Sequence, residues 1–156
     1  MPSRNPLRDC LARFATGVTV VTCRDSEGSV YGITANSFSS VSLEPPRILW
    51  NIAKVSQSLD AYLAATHFGI NILRRDQREL SVHFAQSQHD LYDGIAYGSS
   101  PHGAPRLDGV LAFLECATAQ IHDCGDHYII IGDVLDFDTE SGDPLIFFGG
   151  NYRDLV

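Results

Sequence analysis

The chain has 156 residues, of which 44% are hydrophobic and 19% are charged, and its formal net charge is −8. This length predicts one domain over residues 1–156, and the composition excludes a disordered or collagen-like chain. Because no Lys/Arg cluster offsets the negative charge, we expect no binding to nucleic acid. Neither a signal-peptide core nor an apolar stretch of about 20 residues occurs, which predicts a cytoplasmic protein without membrane association.

The first half of the chain alternates short helices with β-branched segments. Apolar residues share one face at helical spacing over 6–14, which predicts a short first helix. The other predicted elements are strands at 18–22, 30–34, 47–52 and 67–73 and helices at 59–65 and 76–85. The polar run 34–42 lies between two of these strands. It is followed by Glu44-Pro45-Pro46, which should end any regular pairing.

The second half contains the longer strands. Residues 89–107 are rich in Gly, Ser, Pro and Tyr, which predicts a long surface excursion. Strands at 110–122 and 128–137 follow, joined by a hairpin-type turn at 123–126, and 144–148 is the last strand. Because the strands come in hairpins with few short helices, we expect a mainly β fold, a closed or split antiparallel barrel. The absence of a G-x-G-x-x-G sequence argues against a Rossmann site.

The segment Thr34-Ala35-Asn36-Ser37-Phe38-Ser39-Ser40 is the first candidate site. Its hydroxyl and amide groups follow an apolar strand and precede a proline stop. A flavin ring needs such a combination, because one of its edges is apolar and the other needs fixed donors and acceptors. From composition alone, a solvent-exposed Ser-rich loop is an equally good interpretation.

Lys54, Ser56 and Ser58 form a second candidate site just before the predicted helix 59–65. Free N–H groups, two hydroxyls and an ammonium group can bind a phosphate without a Gly-rich loop. The alternative interpretation is a serine that caps the helix beside a surface lysine.

A third candidate is His127, which follows Gly125-Asp126 at the start of an apolar strand. A hairpin turn accounts for the glycine and aspartate, whereas the histidine is either a site residue or simply structural. No histidine pair has metal-binding spacing with a third ligand, so we predict no metal site. The four cysteines form no C-x-x-C pair and are expected to be free thiols, and no G-x-S-x-G hydrolase motif occurs.

Taken together, these segments resemble the short-chain flavin reductase family over nearly the whole chain. The resemblance rests on FATGVTVVT at 14–22, GITANSFSSVSLEPP at 32–46 and GDH at 125–127. Further matches lie at 68–73 and 77–85, and a short, weak one lies at 150–152.

The resemblance implies a split β-barrel with Greek-key topology that forms a homodimer and holds FMN or FAD at the subunit interface. The implied reaction is reduction of flavin by hydride from NADH or NADPH, with reduced flavin passed to a partner monooxygenase. Thr34, Asn36, Ser37, Ser39 and Ser40 would line the flavin ring and ribityl chain, with Ala35 and Phe38 in the same segment. Lys54, Ser56 and Ser58 would bind the phosphate, Phe84 would close the pocket, and His127, as the catalytic candidate, and Tyr152 would face the nicotinamide.

Two departures from the family pattern leave the preferred nicotinamide nucleotide and the preferred flavin open. Asp90-Leu91-Tyr92 stands where many relatives have Asp-Lys-Phe, so the choice between NADH and NADPH is not determined. The tail 147–150 lacks an arginine before its glycines, which leaves the choice between FMN and FAD open.

The alternative function is an electron-transfer protein that retains FMN without useful NAD(P)H oxidation. A pyridoxal-phosphate oxidase relative ranks lower, because a basic cluster for a second phosphate is missing.

Overall fold

The computed structural model describes residues 5–86 and 91–155. Within these residues the helices are α1 (Pro6–Leu11), α2 (Leu59–Ala64) and α3 (Arg78–Phe84), the last preceded by a 3-10 turn at Arg75–Gln77. The strands are β1 (Thr16–Gly17), β2 (Thr19–Arg24), β3 (Val30–Ala35), β4 (Ser39–Leu43), β5 (Pro46–Ala53), β6 (His67–Ile72), β7 (Tyr97–Ser99), β8 (Pro105–Leu107), β9 (Ala112–Cys124), β10 (His127–Thr139), β11 (Ile146–Phe148) and β12 (Asn151–Arg153). None of the described helices combines the length and apolar character needed to cross a bilayer.

Seven strands form the main sheet, in the order β3-β2-β6-β9-β10-β5-β4. Every neighbouring pair is antiparallel, and two pairs that are distant in sequence, β2–β6 and β10–β5, give the Greek-key character. Strand β5 shows why these residues form strands: Ile48, Trp50 and Ile52 are buried, whereas the residues between them are only partly buried. This period of two matches the side-chain alternation of a strand.

The sheet closes because its two edge strands, β3 and β4, are consecutive in the chain. Residues 36–38 join them, and the four Cα steps from Ala35 to Ser39 reach at most about 15 Å. The edges of a flat seven-stranded sheet would lie roughly 29 Å apart, so this sheet must curl. The Ser37 hydroxyl donates to the Asn51 carbonyl on β5, and the Asn51 N–H donates back, both at 3.0 Å. The mainly β split barrel is confirmed.

The polar run 34–42, in which no strand was predicted beyond Thr34, contributes to the paired strand β4, and the pairing expected to end at Glu44-Pro45-Pro46 continues from Pro46 in β5. Strand β4 pairs with β5 from Ser39 opposite Leu49 to Leu43 opposite Pro46, with an irregularity near Val41. Pro46 is tolerated because it is the first residue of its strand, where a missing N–H costs least. The serines are tolerated because β4 is an edge strand whose residues are mostly exposed.

Two apolar clusters lie on opposite sides of the barrel wall. Strand β2 contributes to both, since Val21 points into one and Val20 into the other. The inner cluster consists of Val21, Cys23, Ile48, Trp50, Ile52, Tyr62, Ala65, Phe68, Ile70, Cys116 and Ile130. The outer cluster, which packs α3 and the later segments onto the barrel, consists of Val18, Val20, Leu73, Phe84, Leu107, Val110, Phe113 and Leu145.

The predicted excursion 89–107 is more firmly attached than its composition indicates. Its residues 89 and 90, including Asp90 of the family departure, lie outside the described residues. Residues 97–107 form the β7–β8 hairpin, in which Leu107 is buried. Buried polar groups of the barrel bind it: the Thr22 hydroxyl donates to the Pro105 carbonyl at 2.6 Å, and Asn71 Oδ1 accepts from the Leu107 N–H at 2.9 Å.

The remaining elements differ from prediction mainly at their ends. The first helix stops at Leu11 instead of residue 14, because the chain then turns into β1, which pairs with β11. The last predicted strand, 144–148, begins at Ile146, and β12 follows it. Strands of two or three residues, such as β1 and β12, have too few side chains to show alternation.

Candidate functional site

A cavity of about 840 Å³ opens between β3, the end of α3 and the turn before α2. Ser56, Ser58 and Phe84 line this cavity. Gly32 on β3 lines it as well, and a Cβ added there would stand 2.6 Å from the Phe84 ring. A glycine is therefore required for the close packing of α3 against β3. The volume lies within the range of small-molecule and cofactor sites.

Tyr92 lines the cavity, although no sequence motif marked it as a site residue. Its hydroxyl donates to the Tyr31 carbonyl at 2.7 Å, and its ring meets the Phe84 ring edge-on at 5.2 Å between centroids. Burial raises the pKa of Tyr92 well above its ordinary value. This side chain is thus a neutral donor that holds residues 91–93 beside the cavity. A lone tyrosine in a Gly- and Ser-rich segment has no periodicity that would reveal such a role.

Ser56 and Ser58 place their hydroxyl oxygens 3.2 Å apart on the cavity wall. Ser58 occupies the N-cap position of α2, as predicted, but its side chain makes no capping hydrogen bond. A capping hydroxyl would instead bond an N–H of the first helical turn. Helix capping therefore does not account for these two serines, and both hydroxyls remain at the cavity.

Lys54 lies two residues before Ser56 but is not among the residues that line the cavity. Its ammonium group binds Asp123 Oδ1 at 2.5 Å and lies 5.2 Å from the centre of the Tyr128 ring. The hydrogen bond to Asp123 raises the pKa of Lys54. Its main-chain N–H donates to the Asp126 carbonyl at 2.9 Å. Lys54 thus connects the turn before α2 to the β9–β10 turn.

His127 is the first residue of β10, opposite Ala53 on β5 and Cys124 on β9. Its Nδ1 lies 2.7 Å from Asp126 Oδ1, and the side chain is 45% exposed. The hydrogen bond with His127 lowers the pKa of Asp126. Because a carboxylate only accepts hydrogen bonds, this contact places a proton on Nδ1 and leaves Nε2 for other partners.

The polar run 34–40 divides its side chains between the fold and the surface. The Thr34 hydroxyl donates to the Ser81 carbonyl on α3 at 2.6 Å, and Ser37 binds Asn51 as described. Ala35 and Phe38 pack against the inner cluster. Exposed positions are Asn36, Ser39 and Ser40, where the Ser39 hydroxyl donates to the Ser40 carbonyl at 3.1 Å. Some side chains of the run thus take part in the packing of the fold, whereas others lie at the surface.

Tyr152 on β12 reaches the same helix as Thr34. Its hydroxyl oxygen lies 2.6 Å from Ser81 Oγ, and the Arg78 guanidinium covers its ring at 4.9 Å from the centroid. Within the described residues, these contacts of Tyr152 are at α3, whereas those of His127 are at the β9–β10 turn. The two residues expected to face the nicotinamide therefore belong to different contact groups.

Asn51 on β5, beside Ser37, is a further polar residue that no sequence motif marked as a candidate. Its Oδ1 is buried and finds no hydrogen-bond partner among the described residues. It precedes Ala53, the partner of His127, by two positions on β5, so both side chains project from the same face. The only sequence signal is a polar residue at an outward position of a strongly alternating strand.

Comparison with known proteins identifies the class to which this split barrel with its serine-lined cavity belongs. The family model described as a flavin reductase like domain matches residues 11–156, so this chain belongs to that family. The resemblance found in the sequence is thereby confirmed. Among the described residues, we find no group of three or more His, Cys, Asp or Glu that could hold a metal ion.

Named relatives and solved structures support the same family. FMN reductase (NADH) SmoA of Agrobacterium fabrum is 46% identical over 145 residues, covering 93% of this chain and 82% of SmoA. The reductase component of a trigonelline monooxygenase from Acinetobacter baylyi is 42% identical and covers 94% of this chain. This chain spans only 47% of that relative's length. The NADH:FAD oxidoreductase SgcE6 of Streptomyces globisporus, solved with NAD and FAD fragments, has a TM-score of 0.91 at 35% identity over 96% of this chain and 91% of its own.

Proposed function

We propose that this protein is an NAD(P)H-dependent flavin reductase that accepts FMN or FAD and releases reduced flavin to an oxygenase component. The observation that carries the proposal is the cavity of about 840 Å³ with two serine hydroxyls that lie 3.2 Å apart on its wall, in a chain matched to the flavin reductase family over residues 11–156. A bound flavin supplies the hydride acceptor itself. The protein therefore needs to bind, orient and shield, and no side chain has to be a nucleophile.

The flavin phosphate is proposed to bind at Ser56 and Ser58, with Lys54 supplying the positive charge. Both hydroxyls lie on the cavity wall and neither caps α2. Replacing Ser56 and Lys54 together by alanine should weaken FMN binding more than riboflavin binding, because riboflavin lacks the phosphate. Equal losses for the two flavins would reject this assignment.

The isoalloxazine ring is proposed to contact the exposed part of the polar run, Asn36, Ser39 and Ser40. Thr34, Ala35, Ser37 and Phe38 hold this segment in place through their own contacts with α3, β5 and the inner cluster. Phe84 closes the pocket from α3. Such a division lets polar groups meet the ring from a rigid backbone.

His127 is proposed to orient the nicotinamide, together with Tyr152. The hydrogen bond to Asp126 fixes Nδ1 and leaves Nε2 available to the ligand. Orientation brings the hydride donor and the flavin into a reactive arrangement, and hydride transfer itself requires no acid or base at this position. NADH is the donor that the names of SmoA and SgcE6 give for those relatives.

The protein is proposed to form a homodimer through an exposed apolar patch at the β4 end of the barrel. The patch consists of Val41, Leu43, Leu135 and Phe137, which are 49, 92, 44 and 69% exposed. Arg47 on β5 pairs with Ser42 on one side and with Asp133 on the other, which brings the two halves of the patch together. Contiguous exposed apolar surface of this kind marks interaction sites. Tyr152 and His127 could then meet at one site across the two subunits.

The oxygenase partner is proposed because several relatives are named as reductase components, such as that of trigonelline monooxygenase. A cytoplasmic location is proposed as well. The four cysteines are free, and two of them, Cys10 and Cys124, are exposed. Exposed free thiols persist best in a reducing compartment.

Oxidation of NADH and NADPH by the purified protein, with FMN, FAD or no flavin added, tests the proposed activity. Turnover that depends on added flavin is the expected result, and the preferred flavin and nucleotide are read from the same assay. Tight retention of FMN without turnover would reject the reductase in favour of the electron-transfer alternative.

A further inference from the structure

The ammonium group of Lys54 already has an anionic partner in this structure. Asp123 on β9 binds it at 2.5 Å, and both side chains remain accessible to solvent, at 34% exposure for Lys54 and 66% for Asp123. The main-chain bond from Lys54 to Asp126 holds the two segments together independently of that ion pair. The Asp123 carboxylate is therefore not needed to keep Lys54 beside the β9–β10 turn.

In this structure the Lys54 ammonium is bound to Asp123 and is not part of the cavity wall where a phosphate would be bound. Ser56 and Ser58 line the cavity, whereas Lys54 does not, although it lies in the same turn as Ser56. This turn is closed by the bond from the Ser56 N–H to the Ala53 carbonyl at 3.0 Å. A phosphate at the two serines would be within reach of the flexible lysine side chain once that side chain leaves Asp123.

We infer that Asp123 is a specificity-determining residue that competes with the flavin phosphate for Lys54 and thereby keeps the affinity for phosphorylated flavins low. The inference rests on the proposed function, in which Lys54 binds the phosphate. Binding FMN would exchange one ion pair for another instead of creating a new one. The net gain from Lys54 is smaller by the strength of the pair that is lost.

The consequence is a flavin that leaves readily, as a reductase needs if it supplies reduced flavin to another protein. Affinity differences between closely related complexes arise mostly in the dissociation rate. Asp123 should therefore act mainly by speeding the release of FMN. Riboflavin has no phosphate, so its release should not depend on Asp123.

The test compares FMN and riboflavin binding by flavin fluorescence in wild type, Asp123→Asn, Asp123→Glu and Lys54→Ala. Asparagine keeps the size and a hydrogen-bond acceptor but removes the charge. We expect Asp123→Asn to bind FMN about two- to fivefold more tightly, as suits a partly exposed pair, with slower FMN release and unchanged riboflavin affinity. Asp123→Glu should retain weak binding, and high salt should reduce the difference.

Asp136→Asn is the matched control, since it makes the same change in net charge on the same hairpin. Nine residues of strand separate it from His127, roughly 30 Å and well beyond the range of screened charges. Asp123→Asn without tighter FMN binding, or with an effect equal to that of Asp136→Asn, would overturn the inference. If Lys54→Ala weakens FMN binding in that case, the phosphate site still stands. A Lys54→Ala variant with unchanged FMN binding would reject both the inference on Asp123 and the phosphate site at Lys54. The proposed reductase activity is tested separately, by flavin-dependent NADH oxidation.

Discussion

Glu115 on β9 is a fully buried carboxylate that holds the β7–β8 segment to the barrel. It accepts hydrogen bonds from the Ser100 hydroxyl, from the His102 N–H at 2.8 Å and from the Ala104 N–H at 3.1 Å. His102 Nδ1 lies 2.9 Å from the same carboxylate. Burial by itself would raise the pKa of Glu115, but the hydrogen bonds outweigh it, and the pKa lies below its ordinary value of 4.5.

Because the pKa of Glu115 is lowered in the folded protein, its carboxylate stabilises the fold at pH values above its ordinary pKa of 4.5. This stabilisation is lost as the pH falls from 4.5 through the lowered pKa. The free energy of unfolding should therefore decrease below about pH 4.5, as urea unfolding at a series of pH values would show. Glu115→Gln should lower the free energy of unfolding by about 1–3 kcal/mol at neutral pH and flatten the acid limb. Glu140→Gln removes an exposed carboxylate and controls for net charge. An unchanged acid limb in Glu115→Gln would contradict this account.

His127→Ala should lower kcat/KM for NADH by about tenfold to a hundredfold, because the nicotinamide would lose its orienting group. Flavin affinity should stay within about twofold of wild type, a negligible difference in free energy. Steady-state kinetics and flavin titration measure the two quantities. His122→Ala is the matched control, since this exposed histidine lies opposite Ile129 on the same hairpin. Unchanged kinetics in His127→Ala would remove His127 from the site.

Between elements, the contact of β3 with α3 depends on the missing side chain of Gly32. A Cβ at this position would stand 2.6 Å from the Phe84 ring and 3.2 Å from the Tyr92 hydroxyl. Gly32→Ala should therefore lower the free energy of unfolding by about 1–3 kcal/mol and weaken flavin binding, because α3 must move. Thermal unfolding and flavin titration together check this.

The double variant Gly32→Ala with Phe84→Leu should recover part of the lost stability, since the smaller side chain makes room for the methyl group. Gly98→Ala on β7 is the control, because an added Cβ there meets nothing within 4 Å. A Gly32→Ala protein as stable as Gly98→Ala would show that the packing at α3 is looser than described.

Elements with a strong repeating pattern were predictable, and those defined by distant contacts were not. Strand β5 alternates buried and partly buried residues, and its predicted range 47–52 agrees with the structure within one residue at each end. Strand β4 was missed because its serines carry no apolar alternation and its pairing is set by β5. In the same way, the position of Ser56 and Ser58 before a predicted helix made them candidates for a phosphate site, whereas Tyr92 and Asp123 become visible only through the partners that folding brings to them.

For the molecule as a whole, we expect a dimer in solution that depends on the apolar patch of β4 and β10. Phe137→Asp and Leu43→Asp should give monomers in size-exclusion chromatography with light scattering, because each places a charge in the proposed interface. Flavin affinity should fall by about tenfold or more in the same variants if the site lies between subunits.

Leu7→Asp on α1 is the control for this prediction, since Leu7 is 64% exposed but lies outside the patch. A monomeric wild-type protein would contradict the dimer. Monomeric variants with wild-type flavin affinity would instead place the whole flavin site within one subunit.

The short crossing at residues 36–38, which joins β3 to β4, is a position where the chain should not tolerate insertions. Each inserted residue there would displace Ser37 from Asn51 and separate the two edges that close the barrel. The turn at 25–28, by contrast, closes a hairpin at the surface and joins strands that pair with each other in any case. Natural relatives and engineered fusions should therefore tolerate inserted segments at the hairpin turn, whereas the crossing should keep a constant length.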